Sequence, residues 1–154
     1  RRHETPPRGP TSTAPLAQGA AISQSFIAQY GILTDVRVLL SGEGRSNNAP
    51  VRLSIYASPE AAFPLATSIK PGRLISENKW YNFSIGRLVV NKGTTYYIRL
   101  SSATNADGEP VTAWYNQQYL YPSGQWYLNG IAQQGNLYFG VLGHNGPDTR
   151  DSST

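Results

Sequence analysis

The chain has 154 residues, enough for one domain with a sizeable core, and only 14% of them are charged. Its formal net charge is +4, with no cluster of basic residues that would track a phosphate backbone. Cysteine and methionine are absent and both histidines, His3 and His144, lie near the ends, which excludes a disulfide scaffold, a thiolate nucleophile, a Cys/His zinc site and a histidine-based triad in the body.

Gly and Pro number 15 and 11, a composition of turns rather than long helices. The chain opens Arg1-Arg2-His3 without a methionine, so it is expected to be a fragment, either a processed mature protein or a domain cut from a longer one. No run of about 18 apolar residues occurs, so no membrane-inserting segment is expected.

Residues 1–19 carry four prolines and almost nothing to bury, the composition of a disordered arm or linker. From residue 20 the apolar period is two. Ile22, Gln24, Phe26 and Ala28 form a weak alternating set, followed by Val36, Val38 and Leu40 against Asp35 and Arg37. Val51, Leu53, Ile55 and Ala57 alternate with Arg52, Ser54 and Tyr56, and Tyr81, Phe83 and Ile85 form the next set. Tyr96, Ile98 and Leu100 then alternate with Thr95, Tyr97 and Arg99, and Leu137, Phe139 and Val141 with Tyr138 and Gly140. Such alternation gives each strand one buried and one outward face.

Turn signals separate the runs: Gly42 to Pro50, Lys70-Pro71-Gly72, Asn91-Lys92-Gly93, Asn105 to Gly108, Pro122-Ser123-Gly124 and Gln134-Gly135-Asn136. Only Pro59 to Phe63 offers a helical turn. Residues 143–154 are polar and read as a disordered tail. The pattern predicts one all-β domain over residues 20–142, an antiparallel two-sheet jelly-roll sandwich of eight or nine strands with little or no helix.

Three stretches carry a resemblance. They are Ile22-Ser23-Gln24-Ser25-Phe26, the pair Trp80-Tyr81-Asn82-Phe83 and Gly93 to Leu100, and Tyr121-Pro122-Ser123-Gly124-Gln125-Trp126 leading to Gly135 to Phe139. In this order they resemble the jelly-roll sandwiches of bacterial secreted and cell-envelope proteins, of the galactose-binding-like or carbohydrate-binding-module-like type. The resemblance implies an extracytoplasmic, non-catalytic accessory domain that binds sugar or serves as a structural spacer.

Aromatic residues give the strongest functional lead. Three Trp, ten Tyr and four Phe make 17, and residues 111–130 hold six of them where an even spread would place about two. Aromatic faces stack on the C–H faces of sugar rings at low entropic cost. Trp114 and Trp126 are the leading ligand-binding candidates, with Tyr119 and Tyr121 from the same segment. Tyr56, Tyr97 and Tyr138 have the outward parity, as do Arg52 and Arg99, and Tyr beside Arg supplies stacking together with a forked donor for hydroxyls or carboxylates. The competing reading of the same aromatics is cross-strand packing. Trp80, at the start of a strand, is expected in core or edge packing.

No carboxylate has an apolar run around it that would raise its pKa for acid catalysis, and no hydroxyl has a base beside it, so no enzyme is expected. Asn105, Asp107 and Glu109 offer oxygen ligands at a turn, a weak candidate for structural calcium; no other cofactor is expected. Three functions remain in view. Glycan or polysaccharide binding stands first. A spacer or protein-interaction domain, with other domains of its parent as partners and a glycosyltransferase or glycosidase as one such neighbour, stands second. Single-stranded nucleic-acid binding stands a distant third, since the cations are few and dispersed.

Overall fold

The computed structural model describes residues 11–17, 19–42, 49–102 and 110–146. The period-two runs become β2 (Ala21–Ile27), β3 (Ile32–Ser41), β4 (Val51–Tyr56), β6 (Asn78–Val89), β7 (Thr95–Ser102) and, at the end, β11 (Asn136–Leu137) with β12 (Phe139–His144). To these are added β1 (Thr11–Pro15), β5 (Ala66–Lys70), β8 (Thr112–Asn116), β9 (Trp126–Leu128) and β10 (Ile131–Ala132). Among the described residues twelve segments exceed the expected eight or nine, because β1 is added and the chain after β8 breaks into four pieces. Among the described residues the single helical turn is the 3-10 turn Gly72–Leu74 rather than Pro59 to Phe63. Pro71, at φ −57°, leads into it.

Two antiparallel sheets result. In the first, β1 pairs β8, β8 and the β11–β12 ribbon lie beside β3, and β6 closes the far edge. In the second the order is β10-β9-β2-β7-β4-β5. The pairing is nested about the β4–β5 connection: β4 with β5, β3 with β6, β2 with β7 and β1 with β8. A long ribbon folded back on itself would bring the same strands together.

The core lies between the sheets. Leu33, Val36, Val38 and Leu40 of β3 and Phe83 of β6 meet Ile22, Phe26, Leu53, Ile55, Ile98 and Leu100 of the second sheet, all at most 2% exposed. All but Leu33, which a bulge before Asp35 puts out of step with the rest of β3, belong to the inward parity of their strands, so the alternation did sort buried from outward side chains.

The domain begins earlier than the composition suggests. Thr11–Pro15 lies inside the stretch expected to be a disordered arm, yet it pairs β8 in register from Thr11↔Asn116 to Pro15↔Thr112. Leu16 donates its N–H to the Val111 carbonyl at 2.8 Å and is 1% exposed. Ala14 and Leu16 supply two inward apolar positions, and β1 is an edge strand, where Pro15 is tolerated. β12 likewise runs to His144, past the expected boundary at residue 142. Residues 1–10 and 147–154, which hold the rest of the expected arm and tail, lie outside the described residues.

One buried polar side chain ties the sheets. Gln24 is fully buried on the inward face of β2; its Oε1 accepts the Leu137 N–H at 2.8 Å and its Nε2 donates to the Ser25 carbonyl at 2.9 Å. The β11 backbone is thereby held to the opposite sheet, and both polar ends of the amide are satisfied.

Candidate functional site

On the outer face of the first sheet, a row of large side chains crosses the strands. β8 contributes Trp114 and the link between β11 and β12 contributes Tyr138, whose N–H donates to the Trp114 carbonyl at 3.1 Å. The Leu39 N–H of β3 donates in turn to the Tyr138 carbonyl at 3.1 Å, and Leu39 lies directly opposite Trp80 of β6. The row therefore reads Trp114, Tyr138, Leu39, Trp80 across successive strands, which in a sheet lie about 4.8 Å apart. Leu39 points away from the core yet is only 4% exposed, whereas the three aromatics around it are half-buried. It forms the floor of an aromatic platform.

Polar groups rim this platform. Trp114 donates its indole N–H to Asn78 Oδ1 at 2.7 Å, reaching across the sheet from β8 to β6. That bond ties the ring to Asn78, which is itself exposed. Asn82 donates to Asp35 Oδ2 at 2.7 Å one step along the same face, in line with Arg37. Asn116 donates to the Tyr138 hydroxyl at 2.8 Å. Gly140, opposite Arg37, leaves open space where a side chain would stand. Trp80 Nε1 is buried and makes no hydrogen bond.

The outer face of the second sheet differs in chemistry. Tyr56 of β4 lies opposite Tyr97 of β7, and the Tyr97 ring is 6.3 Å from that of Tyr127 on β9. The Arg99 guanidinium sits 3.8 Å from the Tyr56 ring centroid and donates to the Pro59 carbonyl at 3.0 Å. Burial, then the neighbouring Tyr127, then Glu60, raise the pKa of the Tyr97 hydroxyl above its ordinary value, so it remains a donor well into the alkaline range. Arg52 is exposed on the same face, and Leu65 and Ile69, 46% and 54% exposed, stand along its β5 border.

The sequence candidates thus divide four ways. Trp114 and Tyr138 join on the first sheet, and Tyr56, Tyr97, Arg52 and Arg99 on the second. Trp126 is not a surface residue: it is 3% exposed, opposes the buried Gln24 in register, stacks on Tyr115 at 4.3 Å and donates its indole N–H to the Gln134 carbonyl at 3.1 Å. Tyr121 is also structural. Its hydroxyl accepts the Ile27 N–H at 2.9 Å and its ring meets Phe139 edge-on at 5.4 Å.

Tyr119 is 48% exposed on the β8–β9 connection, outside the strands. The calcium candidates Asn105, Asp107 and Glu109 lie outside the described residues. Trp80, expected in core or edge packing, lies half-buried on the edge strand β6 and also completes the first platform. The signal was present in the sequence, because the inward parity of Tyr81, Phe83 and Ile85 forces Trp80 outward.

Among the described residues no cluster of three or more His, Asp or Glu side chains is placed to hold a metal ion, and no helix is long and apolar enough to cross a membrane. No protein-family model matches the chain, and no curated protein matches it.

Proposed function

We propose that the chain is a non-catalytic carbohydrate-binding module, an accessory domain of a larger secreted or cell-envelope protein, and that it binds a neutral polysaccharide on the first sheet's outer face. The observation that carries this reading is the row Trp114–Tyr138–Leu39–Trp80 with its amide rim. Sugar rings offer apolar C–H faces and a periphery of hydroxyls. Half-exposed aromatic rings take the former, and Asn78, Asn82 and Asp35 donate to and accept from the latter. The platform crosses several strands, so a linear glycan would lie across the sheet. The nested strand pairing supports a jelly-roll topology and with it the galactose-binding-like resemblance.

Affinity electrophoresis of the whole chain through gels containing neutral plant and bacterial polysaccharides tests the reading. Retardation by at least one polymer is expected, lost in Trp80→Ala and Trp114→Ala. Gly140→Glu, which places a charge in the open space beside Arg37, should weaken binding as well. Retardation by none of the polymers, or retardation unchanged in all three variants, would overturn the proposal.

A spacer or protein-interaction domain is the second reading. It is favoured by Leu65 and Ile69 exposed beside the second sheet's tyrosines, with Phe63 on the preceding loop 83% exposed. A concentration-dependent sedimentation mass that Ile69→Lys returns to that of a single chain would support it.

A further inference from the structure

Two Asn-Gly pairs stand at turns, and the fold treats them differently. With no Cβ on the following residue, the backbone nitrogen of such a pair has the least obstructed path to the Asn side-chain carbonyl carbon. Asn129-Gly130 closes the β9–β10 hairpin. Asn129 sits at φ +52°, donates its N–H to the Ala21 carbonyl at 2.8 Å and accepts the Ala21 N–H on Oδ1 at 2.8 Å. Among the described residues no side chain accepts the Gly130 N–H.

Asn145-Gly146, just past β12, is built otherwise. His144 ends β12, opposite Ile32 in register. The Gly146 N–H donates to His144 Nδ1 at 3.0 Å, with Gly146 at φ +94°. An Nδ1 that accepts this bond carries no proton of its own. Asn145 Oδ1 accepts the Gly31 N–H, from the β2–β3 turn, at 3.1 Å. The nitrogen of this pair thus has a base on its proton, and the carbonyl has a donor on its oxygen. That is the arrangement acyl transfer needs. His144 and Asn145 are both exposed, so water can enter and ammonia can leave.

We propose that His144, Asn145 and Gly146 form a self-modifying site, at which the folded chain converts Asn145 through a succinimide to an aspartyl or isoaspartyl residue. His144 Nδ1 takes the Gly146 N–H proton while that nitrogen bonds to Asn145 Cγ and closes the succinimide ring. The Gly31 N–H steadies the charge that gathers on Oδ1. His144 gives the proton to Nδ2, the Cγ–Nδ2 bond breaks and ammonia departs. Water then opens either C–N bond of the ring, so one water enters for each ammonia lost and nothing is oxidised. The product carries an added negative charge at the end of β12, and its isoaspartyl form routes the backbone through the former side chain. None of this depends on the aromatic platform.

The test holds the whole chain in neutral buffer, folded or in concentrated urea, and follows both sites by peptide mass mapping. Isoaspartate methyltransferase labelling marks the isoaspartyl product. In the folded chain Asn145 should convert about tenfold or more faster than Asn129, the internal control, and faster than it does in urea. In urea, where neither site keeps its contacts, the two rates should converge. His144→Ala and His144→Gln should each slow conversion of Asn145 in the folded chain about tenfold. The glutamine can accept the Gly146 N–H but cannot take its proton, which separates a base from a positioning group. Asn129 reports on the fold of each variant, since unfolding would bring its rate to the urea value.

Conversion of Asn145 no faster in the folded chain than in urea would overturn the proposal, because the Gly31 bond would then restrain the amide rather than activate it. Rates unchanged in both His144 variants would overturn it as well. So would a loss in His144→Ala that His144→Gln restores, which would leave His144 a positioning role alone.

Discussion

The three tryptophans show how one residue type takes different roles according to strand parity. Trp126 lies between the sheets, stacked on Tyr115, with its indole N–H satisfied by Gln134. Trp126→Ala should therefore cost about 3–5 kcal/mol in denaturant unfolding. Trp114→Ala and Trp80→Ala remove half-exposed rings and should cost no more than about 2 kcal/mol each, leaving folded protein for binding work. Alternation within strands made Tyr56, Tyr97, Tyr138, Arg52 and Arg99 legible as outward residues. It was silent for Trp126, because the β8–β9 connection has no period to count from.

Tyr97 gives a pH prediction at the same scale. Its folded-state pKa is raised, so its contribution to stability is full below the unfolded-state value, about 10, and fades as pH climbs through the folded-state value. Wild-type unfolding midpoints should fall more steeply than those of Tyr97→Phe above about pH 10. Parallel pH profiles for the two proteins would contradict the assignment.

At the scale of elements, the long central strands were readable and the edges were not. β4 and β7 bury one parity set, and β3 and β6 do so at Val36, Val38 and Leu40 and at Tyr81, Phe83 and Ile85, a regularity visible in residue order alone. β1 and the residue after it contribute only Ala14 and Leu16 to the core from within a proline-rich stretch, so composition outweighed a two-residue alternation. Leu16→Ala distinguishes the alternatives directly. A docked strand predicts a loss of about 2–5 kcal/mol, whereas a free arm predicts no change in the unfolding midpoint.

β11 depends on contacts with no local sequence signal, above all the Gln24 amide some hundred residues earlier. Gly135, just before β11, is different: its φ is +97° and a Cβ there would meet the Asn116 carbonyl. Gly135→Ala should therefore destabilise the fold by more than about 1 kcal/mol, from positive-φ strain and the clash together, again read from denaturant unfolding.

For the molecule as a whole, a sandwich places its two outer faces on opposite sides of one core, and here the faces differ in chemistry. One carries indoles and amides, the other phenols and arginines. Low overall charge, which in the sequence excluded a polyanion-tracking stripe, leaves broad uncharged surface in which a neutral platform can stand. The central claim is that this platform, and not the tryptophan of the core, meets the ligand. Indole N–H resonances of the labelled chain, followed while a retarding neutral polysaccharide is added, test it most directly, because the three tryptophans report separately. The account predicts that the signals of Trp80 and Trp114 shift with the titration while that of Trp126 stays in place. Shifts at Trp126 alone, or saturable binding with Trp80 and Trp114 unmoved, would contradict it.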